Sequence, residues 1–171
     1  AYGVAAVLLL TLAFCVVLVG VVLPQLPAGA RPPASLIVQL LVFSGAAVIL
    51  FLLRSSDATA ALSVLALALS GIANAGPPRG VPWDVPFGAF VSGIAWIAFP
   101  VAFPVIALAI LYFPARSGLL DRRPWVHAVP WLAAAPMLVI GAARALHLWG
   151  ITALDGLVAW SDAHPAVYYG S

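Results

Sequence analysis

The sequence predicts an all-α fold: a polytopic membrane helix bundle of five transmembrane helices with a short interfacial C-terminal segment. Three observations lead there. Apolar residues make up 65% of the chain and charged residues only 7%, with a mean hydropathy of +1.17, whereas roughly a quarter of the residues of a soluble domain are charged. The apolar residues gather in five runs, each near the ~20 residues with which a helix crosses a ~30 Å hydrocarbon core. Between the runs stand Pro, Gly, Arg and Asp, which stop helices and which lipid rejects. Seven arginines without a lysine and five aspartates without a glutamate also leave few of the charged helix formers that solvate a soluble bundle.

The first run, 2–23, lacks a basic leader and is too long for a signal-peptide core, so it reads as a spanning helix that stops at "PQLPAGARPPA". Its Cys15 is the single cysteine, which excludes an internal disulfide or a cysteine zinc site and reads as a small buried hydrophobe. The second run, 35–53, carries Gln39 and closes at "RSSDA". In the third, 58–75, Thr59, Ser63, Ser70 and Asn74 fall on one helical face, a pattern for helix packing with interhelical hydrogen bonds and with Gln39 as a partner for Asn74. The fourth run, 88–113, follows "GPPRGVPWDVPFG", and the fifth, 126–149, follows "PARSGLLDRRPW". In residues 150–171, Ile151, Leu154, Leu157, Val158 and Trp160 form a helical stripe with Asp155 and Asp162 off it. That segment is too short and polar to span, and reads as an interfacial helix or re-entrant hairpin ending at Pro165.

Short connections make neighbouring helices antiparallel, which permits a charge count. One side collects Arg54, Arg116, Arg122 and Arg123, the other Arg31 and Arg79, so the first side is predicted cytoplasmic, with residue 171 outside. Trp83, Trp125, Trp149 and Trp160 fall at the expected interfaces, while Trp96 and Trp131 lie deeper as packing residues. A composition that favours Ala, Arg, Gly, Pro and Val over Lys and Glu points to a GC-rich bacterial genome, and hence to the inner (cytoplasmic) membrane. A net charge of +2 spread over separate loops forms no basic patch for nucleic acid; the expected partners are the bilayer and other transmembrane helices or subunits.

Four prolines interrupt the last two spans: Pro100 and Pro104 in one, Pro130 and Pro136 in the other. Each withholds an amide from the carbonyl four residues earlier. Kinks at matching depth nominate Trp96, Pro100, Pro104, Leu132 and Pro136 as a pocket or hinge, against the plainer reading that prolines are common in membrane helices. Arg144 and His147 are three residues apart and share a face. An intramembrane arginine is a functional candidate, yet one so near the helix end can snorkel, and a structural pairing with Asp155 or Asp84 is the preferred reading. Gln39 and Asn74 complete the intramembrane polar set. His147 is a weak candidate axial ligand for a pigment or haem; no attachment motif accompanies it, and no cofactor is expected. With no glutamate, no nucleophile beside a base and an orienter, and no phosphate loop, the chain is not expected to be an enzyme.

The segment "FPVAFPVIALAILYFPARSGLLDRRPWVHAVPWLAAAPM", residues 99–137, resembles the N-terminal multi-span region of bacterial signalling proteins of the histidine-kinase or serine-phosphatase type. The resemblance rests on Phe113, Pro114, Leu119, Leu120, Arg122, Arg123, Pro124 and Trp125 and covers about 40 residues. It implies a non-catalytic membrane sensor or anchor region of a larger signalling chain. Two other classes stand beside it: a small accessory subunit packing against a respiratory or photosynthetic complex, and, weaker for want of midplane charge, a transporter fragment.

Overall fold

The computed structural model of the chain describes residues 2–28, 34–54, 57–74, 84–112 and 123–164. Among them all regular structure is helical. Helix α1 (Tyr2–Val17) continues through a π-helical turn, Leu18–Val22, into Leu23–Gln25. The expectation placed its end at 23; the helix instead passes through Pro24, because the wider turn, closed by the Leu23 amide on the Leu18 carbonyl, absorbs the geometry that a proline disturbs. Helix α2 (Ala34–Arg54), α3 (Ala58–Asn74), α4 (Gly88–Tyr112) and α5 (Val129–Leu148, entered by a 3-10 turn Pro124–Ala128) follow. A 3-10 turn, Thr152–Leu154, then leads into α6 (Asp155–Ala163).

Among the described residues four helical stretches, Val4–Gln25, Ala34–Arg54, Gly88–Tyr112 and Trp125–Leu148, are long and apolar enough to cross a membrane. The third expected span is different. Helix α3 has 17 residues, about 25 Å at 1.5 Å per residue, which is short of a ~30 Å core. Its burial supplies the reason it can be short: no residue from Thr59 to Ala73 is exposed, since α1, α2 and α4 all pack on it. An enclosed helix rich in alanine lets its neighbours approach closely.

The packing alternates strictly. At one end the Thr59 hydroxyl donates to the Tyr112 carbonyl at 3.4 Å and the Tyr112 ring lies 5.8 Å from that of His127, so the start of α3, the end of α4 and the start of α5 meet there. At the second end Leu26, Leu40, Ile72 and Val91 share one buried cluster with Phe14, Leu18 and Val22. A smaller cluster of Leu8, Ala47, Val64 and Ala68 closes the first end. Cys15 is buried with its Sγ 3.5 Å from the Ser44 hydroxyl, a packing residue between α1 and α2.

Helix α3 begins where it does because Asp57 caps it, its carboxylate accepting the Thr59 amide at 2.8 Å. Asp57→Ala is expected to cost about 1 kcal/mol, read as a modest fall in apparent unfolding free energy in mixed micelles; Asp57→Asn should retain most of it.

Candidate functional site

Helices α4 and α5 approach through two glycines. A Cβ at Gly141 would lie 2.6 Å from the Trp96 carbonyl oxygen and 3.1 Å from Pro100 Cγ, and one at Gly93 would lie 2.5 Å from Trp149 Nε1. Pro100 has no amide to offer the Trp96 carbonyl, and the α5 backbone sits against that carbonyl where only glycine fits. Trp96 and Ile140 form the buried contact beside it.

One turn further along α5 the packing becomes polar. The Arg144 guanidinium lies 4.6 Å from the centre of the Trp96 ring, donates to the Ser161 hydroxyl at 2.9 Å and pairs with Asp162. Ser161, itself buried, donates to the Val158 carbonyl at 2.8 Å. The Arg144 side chain is only 11% exposed, and among the described residues its Nε has no hydrogen-bond partner. His147, one turn on, meets the Asp155 carboxylate through Nδ1 at 2.7 Å. A single arginine thus holds α4 through a ring face and α6 through two acceptors.

The turn after α5 sets this pairing. Gly150 adopts φ +82°, the left-handed conformation glycine takes at little cost. The Ile151 amide reaches the Leu146 carbonyl at 2.9 Å and the Gly150 amide reaches that of His147 at 3.0 Å, the Schellman arrangement that satisfies the last carbonyls of a helix. The chain therefore reverses, and α6 runs back across α5: Asp155, near the turn, finds His147, and Asp162, seven residues later, finds Arg144. The expected partner of Arg144, Asp155 or Asp84, is corrected to Asp162, because the sequence could place the charges near one another without giving the direction of α6.

The other expected residues are distributed as follows. Trp96, Pro100 and Pro104 are buried in α4, whereas Leu132 and Pro136 lie on the exposed side of α5, so the two proline pairs do not converge on one space. Asn74 donates to its own Ser70 carbonyl at 2.8 Å rather than reaching Gln39. Ser63 likewise bonds its own helix, at the Thr59 carbonyl, whereas Thr59 reaches another helix at the Tyr112 carbonyl. Arg54 and Arg123 are exposed at the first end; Arg116 and Arg122, with Trp83 and Pro165, lie outside the described residues. Trp125, Trp149 and Trp160 are exposed; Trp96 is buried, in keeping with a packing residue, but Trp131 is 39% exposed and faces outward rather than packing. His147 uses Nδ1 on Asp155, and among the described residues no three His, Cys, Asp or Glu are grouped to hold a metal.

Sequence reasoning missed Gly93, Gly141 and Ser161. The strict GxxxG spacing in the sequence, Gly76 and Gly80 of "GPPRG", stands between two apolar runs, so the signal was fainter: single glycines inside apolar helices, one of them on the helix after the doubly proline-bearing one. Phe90, stacked on Trp149 with ring centres 6.2 Å apart, was equally unmarked. A comparison of the chain with protein-family models, with curated proteins and with solved structures finds no match.

Proposed function

We propose that the chain is a non-catalytic membrane region of the sensor or anchor kind, crossing the bacterial cytoplasmic membrane five times with its N-terminus inside and residue 171 outside. The observation that supports its direction is the placement of the exposed arginines at the ends of an alternating bundle. Arg54 and Arg123 are exposed at the first end, beside Asp57, while at the second end Asp84 and Asp162 are exposed and the described arginine, Arg144, is mostly buried and paired with Asp162; Arg31 and Arg79 lie outside the described residues, and it is arginines in loops that membrane insertion holds back in the cytoplasm. Apolar side chains ring the bundle between those ends: Leu9, Val16, Leu41, Leu52, Ile110 and Leu132 are all exposed, an arrangement that water penalises and lipid accepts. Helix α3 joins the same two ends as its longer neighbours, and a short span inside a bundle is accommodated by its neighbours and by slight thinning of the bilayer. The sensory role is supported by the arrangement around Arg144, which ties a helix at the second end to α4, and α4 runs the full depth to the arginine-bearing end.

Sidedness is tested with Asp57→Cys and Thr152→Cys, each in a Cys15→Ala background, in intact cells. A membrane-impermeant maleimide is expected to label position 152 at once and position 57 only after lysis; the opposite order sinks the orientation. For the role itself, a reading frame that continues past Ser171 into a further crossing and a cytoplasmic kinase or phosphatase domain is the expected result. A stop codon there, together with co-purification with a large membrane complex, would replace the sensor by an accessory subunit.

A further inference from the structure

Helix α6 presents its residues to its surroundings in an order that water does not reward. Val158 and Ser161 face the bundle, and both aspartates are engaged by side chains of α5: Asp155, 43% exposed, by His147, and Asp162, 60% exposed, by Arg144. The outward face is left to Gly156, Ala159, Trp160 and Ala163, with Ile151 and Leu154 exposed on the approach and the His164 ring stacked on Trp160 with centres 4.9 Å apart. No carboxylate or guanidinium is among them. A nine-residue helix in water would be expected to turn its tryptophan in, and Trp160 is 45% exposed.

Two further features say what lies against that face. Arg144 belongs to the apolar stretch Trp125–Leu148, one turn before its end, so the tie to Asp162 keeps α6 at the border of that stretch. The same end of the bundle shows Phe87, Phe90 and Trp149 exposed, with Phe90 stacked on Trp149. Aromatic side chains at such a level sit where headgroups meet acyl chains.

We propose that α6 is a lipid-docked strap: its uncharged face, led by Trp160, inserts at the acyl-headgroup boundary of the outer leaflet, and Arg144 joins its seating to α4 through Trp96. This rests on the membrane reading above and adds to it the surface α6 binds and the residue that reports its position. The partner is the leaflet itself, so lifting α6 from it would draw the guanidinium from the Trp96 ring, at the proline-bearing part of α4. Helices of this type bind through buried apolar area and respond to lipid packing.

The test uses the whole chain reconstituted in phosphatidylcholine and phosphatidylglycerol vesicles, in a Cys15→Ala background, with an environment-sensitive fluorophore on Ala159→Cys, Ala163→Cys or Asp57→Cys in turn. Quenching by phosphatidylcholine brominated on its acyl chains is expected to be several-fold stronger at 159 and 163 than at 57, and quenching by aqueous iodide to follow the opposite order. Adding Trp160→Lys should bring iodide quenching at 159 up toward that at 57. Strong iodide and weak bromolipid quenching at both 159 and 163 in the unmodified strap overturns the proposal, as does an effect of Trp160→Lys no larger than that of Trp160→Phe. Vesicles report lipid contact from either leaflet, so a reversed orientation in the cell-labelling experiment would sink the sidedness while leaving this result readable by itself.

Discussion

Replacing Gly141 by valine is expected to destabilise the bundle by about 3 kcal/mol, the upper part of the usual range for forcing volume into a packed contact. The reason is the identity of the atoms in the way. A Cβ there meets the Trp96 carbonyl at 2.6 Å, and a backbone oxygen cannot rotate aside as a side-chain tip can. Helices α4 and α5 must separate, and Arg144 then leaves the Trp96 ring with them. Gly141→Ala is the sharper probe, because alanine by itself favours a helix over glycine by up to about 1 kcal/mol, so any net loss reports the clash. Gly45 supplies the control: nothing lies within 4 Å of a Cβ placed there, and Gly45→Ala should be neutral or stabilising. Unfolding in mixed micelles of increasing denaturing detergent, followed by tryptophan emission, measures all three. A Gly141→Ala protein as stable as the Gly45→Ala protein would show that the two helices do not rely on this approach.

Arg144→Ala is expected to cost about 2 kcal/mol. A fully buried ion pair broken on one side costs about 3–5 kcal/mol, and this one deserves less because Asp162 is 60% exposed and retains water. The loss combines a charge-assisted bond to Asp162, the bond to Ser161 and the ring contact with Trp96, the last worth about 0.5–1 kcal/mol. Arg144→Lys should recover only part of it, since an ammonium lacks the planar fork that reaches two acceptors while lying over a ring. The accompanying readout is local: limited proteolysis within Thr152–Ala163 should accelerate far more than cleavage after Arg54. Equal acceleration at both places would mean that Arg144 supports the bundle as a whole and does not hold α6.

The helices were legible because their cause is local. Length, apolarity and proline or glycine punctuation decide where a segment enters and leaves a helix, and the observed ends fall close to the expected ones. Whether a segment reaches across lipid is less local: α3 reads as a span from its composition, but its length is set by the Asp57 cap and its enclosure by three neighbours. The polar site was half legible. Arg144 and His147 were picked out by spacing and by the improbability of charge in an apolar run, while the partner assignment waited on the direction of α6, which one glycine at φ +82° decides. The proline pocket illustrates the limit. Depth along a helix can be counted from sequence, but the side a residue faces depends on which neighbour the helix packs against, and Pro136 and Leu132 face away.

Enclosure of α3 also bears on how such a chain can change over generations. Positions on the rim, such as Leu9, Val16, Leu52 and Leu132, need only be soluble in oil, and one branched or unbranched hydrocarbon there will substitute for another. Ala60, Val64, Ala68 and Ile72 are buried on one short helix, where an added methylene has nowhere to go. Descendants of this chain should therefore diverge rapidly in lettering around the periphery while keeping the rhythm of small volumes through the hub, and kinship between them would be easier to hear in that rhythm than to spell.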